Sequence, residues 1–251
     1  MGALHEGHLS LVRTAKASCN AVAVSIFVNP TQFGPNEDFA LYPRTFQADC
    51  ALLAAEGVDV VFAPAPDEVY HPGAATFVEV EDLSQRLDGA SRPGHFRGVA
   101  TIVAKLFIAT EPDRAFFGQK DAAQIAVLRR MVADLALPVE LAVCPIVREP
   151  DGLAMSSRNR YLSPQERQQA LVLRRSLDAV EAAIAAGEHH SEALVTKAQL
   201  ILASEPNIRI DYIAAVDWAT LLPVEITEAG MLFAVAAWVG KTRLIDNMII
   251  Q

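Results

Sequence analysis

The sequence predicts an α/β protein: a parallel sheet with helices on both faces, followed by a smaller α+β domain. Three observations carry that expectation. Residues 21–28 and 58–63 are continuous apolar runs rich in β-branched side chains, the pattern of strands buried on both faces. Segments of helical periodicity alternate with these runs over short connections, as in strand–helix–strand units. From about residue 163 the order changes to two helices and then three strand-like runs, which places a domain boundary near residue 160.

Leu9, Leu11 and Val12 follow His5-Glu6-Gly7-His8 with helical spacing, so the chain opens on a loop that becomes a helix. The strand over 21–28 ends in Asn29-Pro30-Thr31-Gln32-Phe33-Gly34-Pro35-Asn36, which is turn chemistry. Residues 44–56 are helical by period and closed by Gly57, and the strand over 58–63 stops at Pro64 and Pro66. A short strand is expected over 76–80, a loop over 87–98 and a helix over 99–110. Residues 115–117 read as a strand, 121–135 as a helix, and 139–147 as a strand running into Arg148-Glu149-Pro150-Asp151-Gly152.

Ser163-Pro164-Gln165-Glu166 is a capping sequence with proline at the first helical position, opening a helix to about residue 186 that Gly187 closes. A second helix covers 191–204, and strands are expected over 208–216, 231–239 and 242–250. Gly240-Lys241-Thr242 resembles the end of a P-loop, but Val235 stands where that motif needs glycine, so it is read as a hairpin turn.

Bulk properties narrow the classes. At 251 residues the chain can bury a full core. A formal net charge of -9 argues against a nucleic-acid groove as the main surface. No apolar run suits a membrane span or a signal peptide. Cys19, Cys50 and Cys144 are odd in number and far apart, which is not a disulfide framework; Cys50 and Cys144 sit in apolar patterns as buried thiols. A cytoplasmic setting is expected.

Four clusters carry chemistry. The first is Met1-Gly2-Ala3-Leu4-His5-Glu6-Gly7-His8, where a loop meets a helix N-terminus. Unpaired N–H groups and the helix dipole there favour phosphate oxygens, and two imidazoles add donors that can follow a change of phosphate charge. The spacing is not the His-Glu-x-x-His of a zinc protease. The second cluster, Asn29 to Phe33, offers amides to hydroxyls and a carboxylate, although an asparagine in a turn commonly serves its own backbone. The third is Phe117-Gly118-Gln119-Lys120-Asp121, with Lys120 as a point charge for phosphate, Gly118 allowing close backbone approach, Asp121 capping the helix and Gln124 one turn on. The fourth, Gly152-Leu153-Ala154-Met155-Ser156-Ser157-Arg158-Asn159, is a glycine-led loop with two hydroxyls and an arginine, an anion clamp able to hold a leaving pyrophosphate, or else a serine-rich linker.

These stretches resemble the pantoate–β-alanine ligase family of the nucleotidylyl-transferase superfamily. The resemblance rests on Met1 to His8 followed by Leu9 to Arg13, Ser25 to Asp38, Tyr42-Pro43-Arg44-Thr45, Ser91 to Val99, Phe117 to Asp121, Asp151 to Asn159 and Gly240 to Asn247, and so spans the chain. The ten residues from Asn29 to Asp38 are its most specific part.

The resemblance implies a Rossmann-like N-terminal domain over 1–160, of the kind with a His-x-Gly-His signature, and a small α+β lid over 161–251. It implies ATP-dependent condensation of (R)-pantoate with β-alanine through pantoyl adenylate, with Mg2+ accompanying ATP, in a homodimer. By motif, His5 matches the proton donor, and His8, Lys120, Ser156, Ser157 and Arg158 the phosphate contacts. Residues Met1 to His8, with Gly118, Gln119, Asp121, Val147 and Met155, match the ATP site. Gln32 and Gln124 match the pantoate glutamines, with Asn29 and His95 as neighbours.

Three departures accompany the match. The family ordinarily has a strand and a Pro-Thr ahead of this Met-Gly, so either the start is misassigned or the chain is truncated, with two strands left unpaired and a poorly active or unstable protein expected. Gln119 stands where glutamate is usual, and Ala123 where glutamine is usual. Two other functions remain open on sequence grounds: adenylyl transfer to a phosphopantetheine-like alcohol, and non-catalytic nucleotide binding.

Overall fold

The computed structural model describes residues 1–35 and 37–251; Asn36, in the motif after the first strand, lies outside the described residues. The chain divides into two compact units, one of residues 1–118 and 127–145, the other of residues 119–126 and 146–251.

The first unit opens with α1 (Glu6–Ser18), which buries Leu9, Leu11, Val12 and Ala15 at helical spacing. β1 (Ala23–Ser25) and β2 (Val60–Phe62) pair in parallel, Ala23 opposite Val60 and Ser25 opposite Phe62, with α2 (Phe46–Ala55) between them in the chain. Leu4, Leu9, Val12, Val22, Val24 and Leu53 close one apolar core. α3 (Pro66–Val69) and α4 (Asp88–Ser91) are single turns, and α5 (His95–Thr110) is largely buried. β3 (Arg114–Gly118) and β4 (Glu140–Cys144) form a second parallel pair, separated in the chain by α6 (Ala122–Asp134). Among the described residues the parallel strands thus form two pairs.

Three local expectations are corrected. Residues 76–80 are not a strand: the Val78 N–H donates to Thr101 Oγ1 at 2.9 Å, so a side chain of α5 takes the place of a neighbouring strand. The stretch 87–98 is not one loop, because α4 and the start of α5 lie in it, with Gly94 at φ +80 ahead of His95. The strand over 139–147 stops at Cys144, since Pro145 has no N–H for the ladder. Cys144 is buried as expected, while Cys50 is half-buried.

The second unit holds α7 (Pro164–Gln169), α8 (Val172–Ala185) and α9 (Ser191–Leu202), then β5 (Ile208–Val216), β6 (Leu232–Val239) and β7 (Thr242–Ile249). One helix was expected over 163–186; two form. At the break the Leu171 N–H bonds Gln168 O and the Leu173 N–H bonds Ala170 O, three-residue steps that tighten the chain between the two helices. The sheet is antiparallel in the order β5-β6-β7, and the central strand is buried almost throughout. Leu173, Leu177, Leu194, Leu202, Phe233 and Val235 form its core. Gly240 and Lys241 make the expected hairpin turn, with Val239 opposite Thr242. Gly240 has φ +56, a left-handed backbone that favours glycine, and a Cβ there would make the end of the Glu166 side chain move aside. Residues 119–126 join this unit through Trp218, whose Nε1–H donates to Ala122 O at 3.0 Å. No helix among the described residues is long and apolar enough to cross a membrane.

Candidate active site

The opening turn is built around strain and its restraint. Ala3 has φ +48, a left-handed backbone that a residue with a Cβ adopts only at a cost. Buried Asp49 of α2 holds it there: Oδ2 accepts the Ala3 N–H and Oδ1 the Leu4 N–H, both at 2.9 Å, and the Thr45 hydroxyl also donates to Oδ1. The turn delivers His5 as the residue capping α1, its carbonyl accepting from the N–H groups of His8 and Leu9. The His5 N–H donates to His8 Nδ1 at 3.3 Å. That nitrogen is therefore an acceptor, and a neutral His8 carries its proton on Nε2, the donor end. The two rings lie 4.1 Å apart between centroids. Glu6 turns away to pair with Arg13, which also holds Glu56.

Asn29, Gln32 and His95 come together in the same unit. Asn29 is buried, and its side chain serves the protein: Nδ2 donates to Gly98 O at 3.0 Å and Gln32 Oε1 at 3.1 Å, while Oδ1 accepts from Thr31 and from the Tyr70 hydroxyl. A Cβ on Gly98 would sit 2.4 Å from Thr31 O, so α5 and the 30–32 turn touch backbone to backbone. His95 is buried beneath that turn. Nδ1 lies 2.8 Å from Gln32 O, and Nε2 lies 2.9 Å from Arg92 Nη1. Burial and then the Arg92 charge push its pKa down to about 4, against the opposing pull of Gln32 O, Asp88 and Glu37.

The second unit gathers the other basic and hydroxyl groups. Val147 and Met155 pair as the ends of a small hairpin, the Met155 N–H donating to Val147 O at 3.0 Å, with Gly152 at φ +96 in its turn. The hairpin leads into Ser156, whose Oγ accepts the Arg158 N–H at 3.3 Å and opens the turn Ser157–Tyr161. Lys120 and Ser156 line one small cavity with Ala154, Asn159 and Asp246. Lys120 Nζ is 3.6 Å from Asp121, and Gln124 is half-buried one turn on. Gly118 ends β3 in the first unit, where an added Cβ would meet nothing within 4 Å among the described residues.

The comparisons with known proteins decide the family. A family model described as pantoate-beta-alanine ligase matches residues 1–249. The chain is 66% identical over 250 residues to the pantothenate synthetase of Acidobacterium capsulatum, covering 100% of this chain and 84% of that protein. The chain belongs to the pantoate–β-alanine ligase family. It is accordingly a carbon–nitrogen ligase. The pantothenate synthetase of Thermotoga neapolitana is 58% identical over 252 residues, covering 100% of this chain and 89% of that one. The solved pantothenate synthetase of Thermus thermophilus superposes with a TM-score of 0.96 at 48% identity, over 99% of this chain and 90% of that one. The pantoate-beta-alanine ligase of Francisella tularensis, solved with beta-gamma ATP and beta-alanine, gives a TM-score of 0.78 at 34% identity, over 99% of this chain and 87% of that one.

Three supports of the candidate site escape a reading of the sequence. Asp49 lies mid-helix with no motif to flag it. Arg92 and Glu37 fall inside stretches that mark the family, yet only the fold shows them meeting, at 2.5 and 3.0 Å. Asp246 and Asn247 lie on β7, far along the chain from Lys120. Buried Asp246 takes a two-point ion pair from Arg148 at 2.6 and 2.9 Å. Asn247 Nδ2 donates to the carbonyls of Gln119 and Lys120 at 3.1 and 3.0 Å, and Gln119 Nε2 donates to Asn247 Oδ1 at 3.2 Å. The Gln119 side chain thus supplies a donor that a glutamate could not.

Proposed function

We propose that the protein condenses (R)-pantoate with β-alanine in two steps at the expense of ATP. The pantoate carboxylate oxygen attacks the α-phosphorus, the bond to the bridging oxygen breaks, and pyrophosphate leaves. The β-alanine amine then attacks the acyl carbon of pantoyl adenylate, AMP departs with the attacking oxygen, and the amine loses a proton. No side chain need bond covalently, so positioning and charge neutralisation supply the rate.

The observation that carries this reading is the His5–His8 pair at the N-terminus of α1, with His8 set as an Nε2–H donor in a turn clamped by Asp49. In this reading His5 is the proton donor, and His8, Lys120, Ser156, Ser157 and Arg158 neutralise the phosphates. The Met1–Leu4 turn, Gly118, Asp121, Val147 and Met155 face the nucleotide. Gln32 and Gln124 hold pantoate, and Asn29 and His95 serve that subsite. Mg2+ would arrive on the phosphates: it retains water and binds few protein carboxylates, which fits a chain with no cluster of three or more His, Cys, Asp or Glu ligands among its described residues. Its chemistry would be to offset phosphate charge. A homodimer in the cytoplasm completes the reading.

The test is ATP consumption with pantoate, with and without β-alanine. AMP and pantothenate formed together only when β-alanine is present support it. Pyrophosphate release with no amide product would instead mark an adenylyl transferase, and nucleotide binding without turnover a non-catalytic relative.

A further inference from the structure

The polar groups around Gln32 have donor and acceptor roles that are fixed by their chemistry. A guanidinium can only donate, so Arg92 Nη1, 2.9 Å from His95 Nε2, makes that nitrogen an acceptor. The ring proton must then sit on Nδ1, where it donates to Gln32 O at 2.8 Å. Arg92 is itself held: Glu37 takes Nε at 3.0 Å and Nη2 at 2.5 Å, and the pair is mostly shielded, with 15% and 24% of the two side chains exposed. Burial alone would raise the Glu37 carboxyl, but its bonds to Arg92 and the charge there outweigh that, and the group ends below its ordinary value. Glu37 therefore stays ionised and Arg92 stays oriented.

The other face of Gln32 is fixed by the same logic. Asn29 Nδ2 donates to the backbone carbonyl of Gly98, which identifies the donor end of its amide. The same Nδ2 therefore meets Oε1 of Gln32, and the Nε2 amino group of Gln32 becomes its presenting end. An amino end recognises a carboxylate or hydroxyl oxygen.

We infer that Arg92, held by Glu37, is a positioning residue for pantoate: by fixing His95 as the Nδ1–H tautomer it locks the Gln32 backbone, and with Asn29 it aims the Gln32 amino group at the substrate. The inference rests on Gln32 being a pantoate ligand, as read above. Arg92 acts on Gln32 through His95 and also directly, its Nη2 donating to the same Gln32 carbonyl at 3.4 Å.

Steady-state kinetics on the full chain, with histidine ring nitrogen NMR, test this. Arg92→Ala should raise the pantoate KM about tenfold or more while the ATP KM stays within about twofold, and Arg92→Lys, which keeps the charge on a single donor nitrogen, should recover part of the loss. The His95 ring should show a protonated Nδ1 and bare Nε2 in the native chain and lose that pattern in Arg92→Ala. Should Arg92→Ala fail to fold, Glu37→Gln, which keeps the guanidinium but not its ion pair, should give a smaller split in the same direction. Equal rises in both KM values, an unchanged pantoate KM in a folded variant, or an unaltered tautomer would overturn the inference. Gln32→Ala separates the two levels: an unchanged pantoate KM there defeats the reading of Gln32 and this inference with it, whereas a raised one alongside an inert Arg92→Ala defeats the inference alone.

Discussion

Ala3 and His95 show what single residues contribute to this site. The left-handed backbone at Ala3 costs roughly 1–2 kcal/mol, and Asp49 offsets it with two backbone hydrogen bonds that no other group on the turn supplies. Asp49→Ala should leave two buried N–H donors unmet and destabilise the chain by about 2–4 kcal/mol, read as a lower urea midpoint; an unchanged midpoint contradicts the clamp. His95 makes a pH prediction. Its folded pKa of about 4 lies below the ordinary 6.5, so above pH 6.5 the ring is neutral in both folded and unfolded chains and its contribution is complete. As pH falls from 6.5 towards 4 the unfolded chain takes up a proton that the folded chain refuses, and stability drops by on the order of 3 kcal/mol. Urea midpoints from pH 7 to 4 should fall more steeply in the native chain than in His95→Asn; parallel slopes would contradict the assignment.

At the scale of elements, the site depends on segments that meet it from far along the chain. β7 is a strand of the C-terminal sheet, yet Asn247 on it fixes two consecutive carbonyls of the turn that carries Lys120. Asn247→Ala should free that turn and lower kcat/KM for ATP about tenfold, with the pantoate KM little changed and the fold intact. A pantoate effect as large as the ATP effect would show that Asn247 serves the sheet rather than the lysine. The short turn from Pro30 to Gln32 is a similar case, since it packs on α5 through the bare backbone of Gly98 and is tied to it by Asn29. Both turns are too short to hold their shape alone; tertiary contacts hold them.

For the whole molecule, the parts legible in the sequence are those with local causes. Apolar runs gave away β1, β2 and the antiparallel strands, helical spacing gave α1, α6 and α9, and Val235 ruled out a P-loop at what proved to be a hairpin. The motifs at His5, Gln32, Lys120 and Ser156 were visible because the loops that carry them have little structural reason to hold such residues. What stayed hidden depends on distant partners. Thr101 replaces a strand partner for Val78, Asp49 grips a turn from another helix, and Arg92 becomes meaningful only once Glu37 lies against it. No residue spacing encodes such meetings. The break between α7 and α8 was invisible for another reason: neither glycine nor proline marks it, only a local shift in hydrogen bonding.

The central claim is that pantoate is activated as an acyl adenylate, and oxygen transfer tests it most directly. Pantoate labelled with 18O in its carboxylate would be turned over with ATP and β-alanine, and the AMP and pyrophosphate analysed by mass. Attack on the α-phosphorus predicts one labelled oxygen in AMP and none in pyrophosphate. Unlabelled AMP alongside pantothenate formation would contradict the adenylate and require a different activated acid.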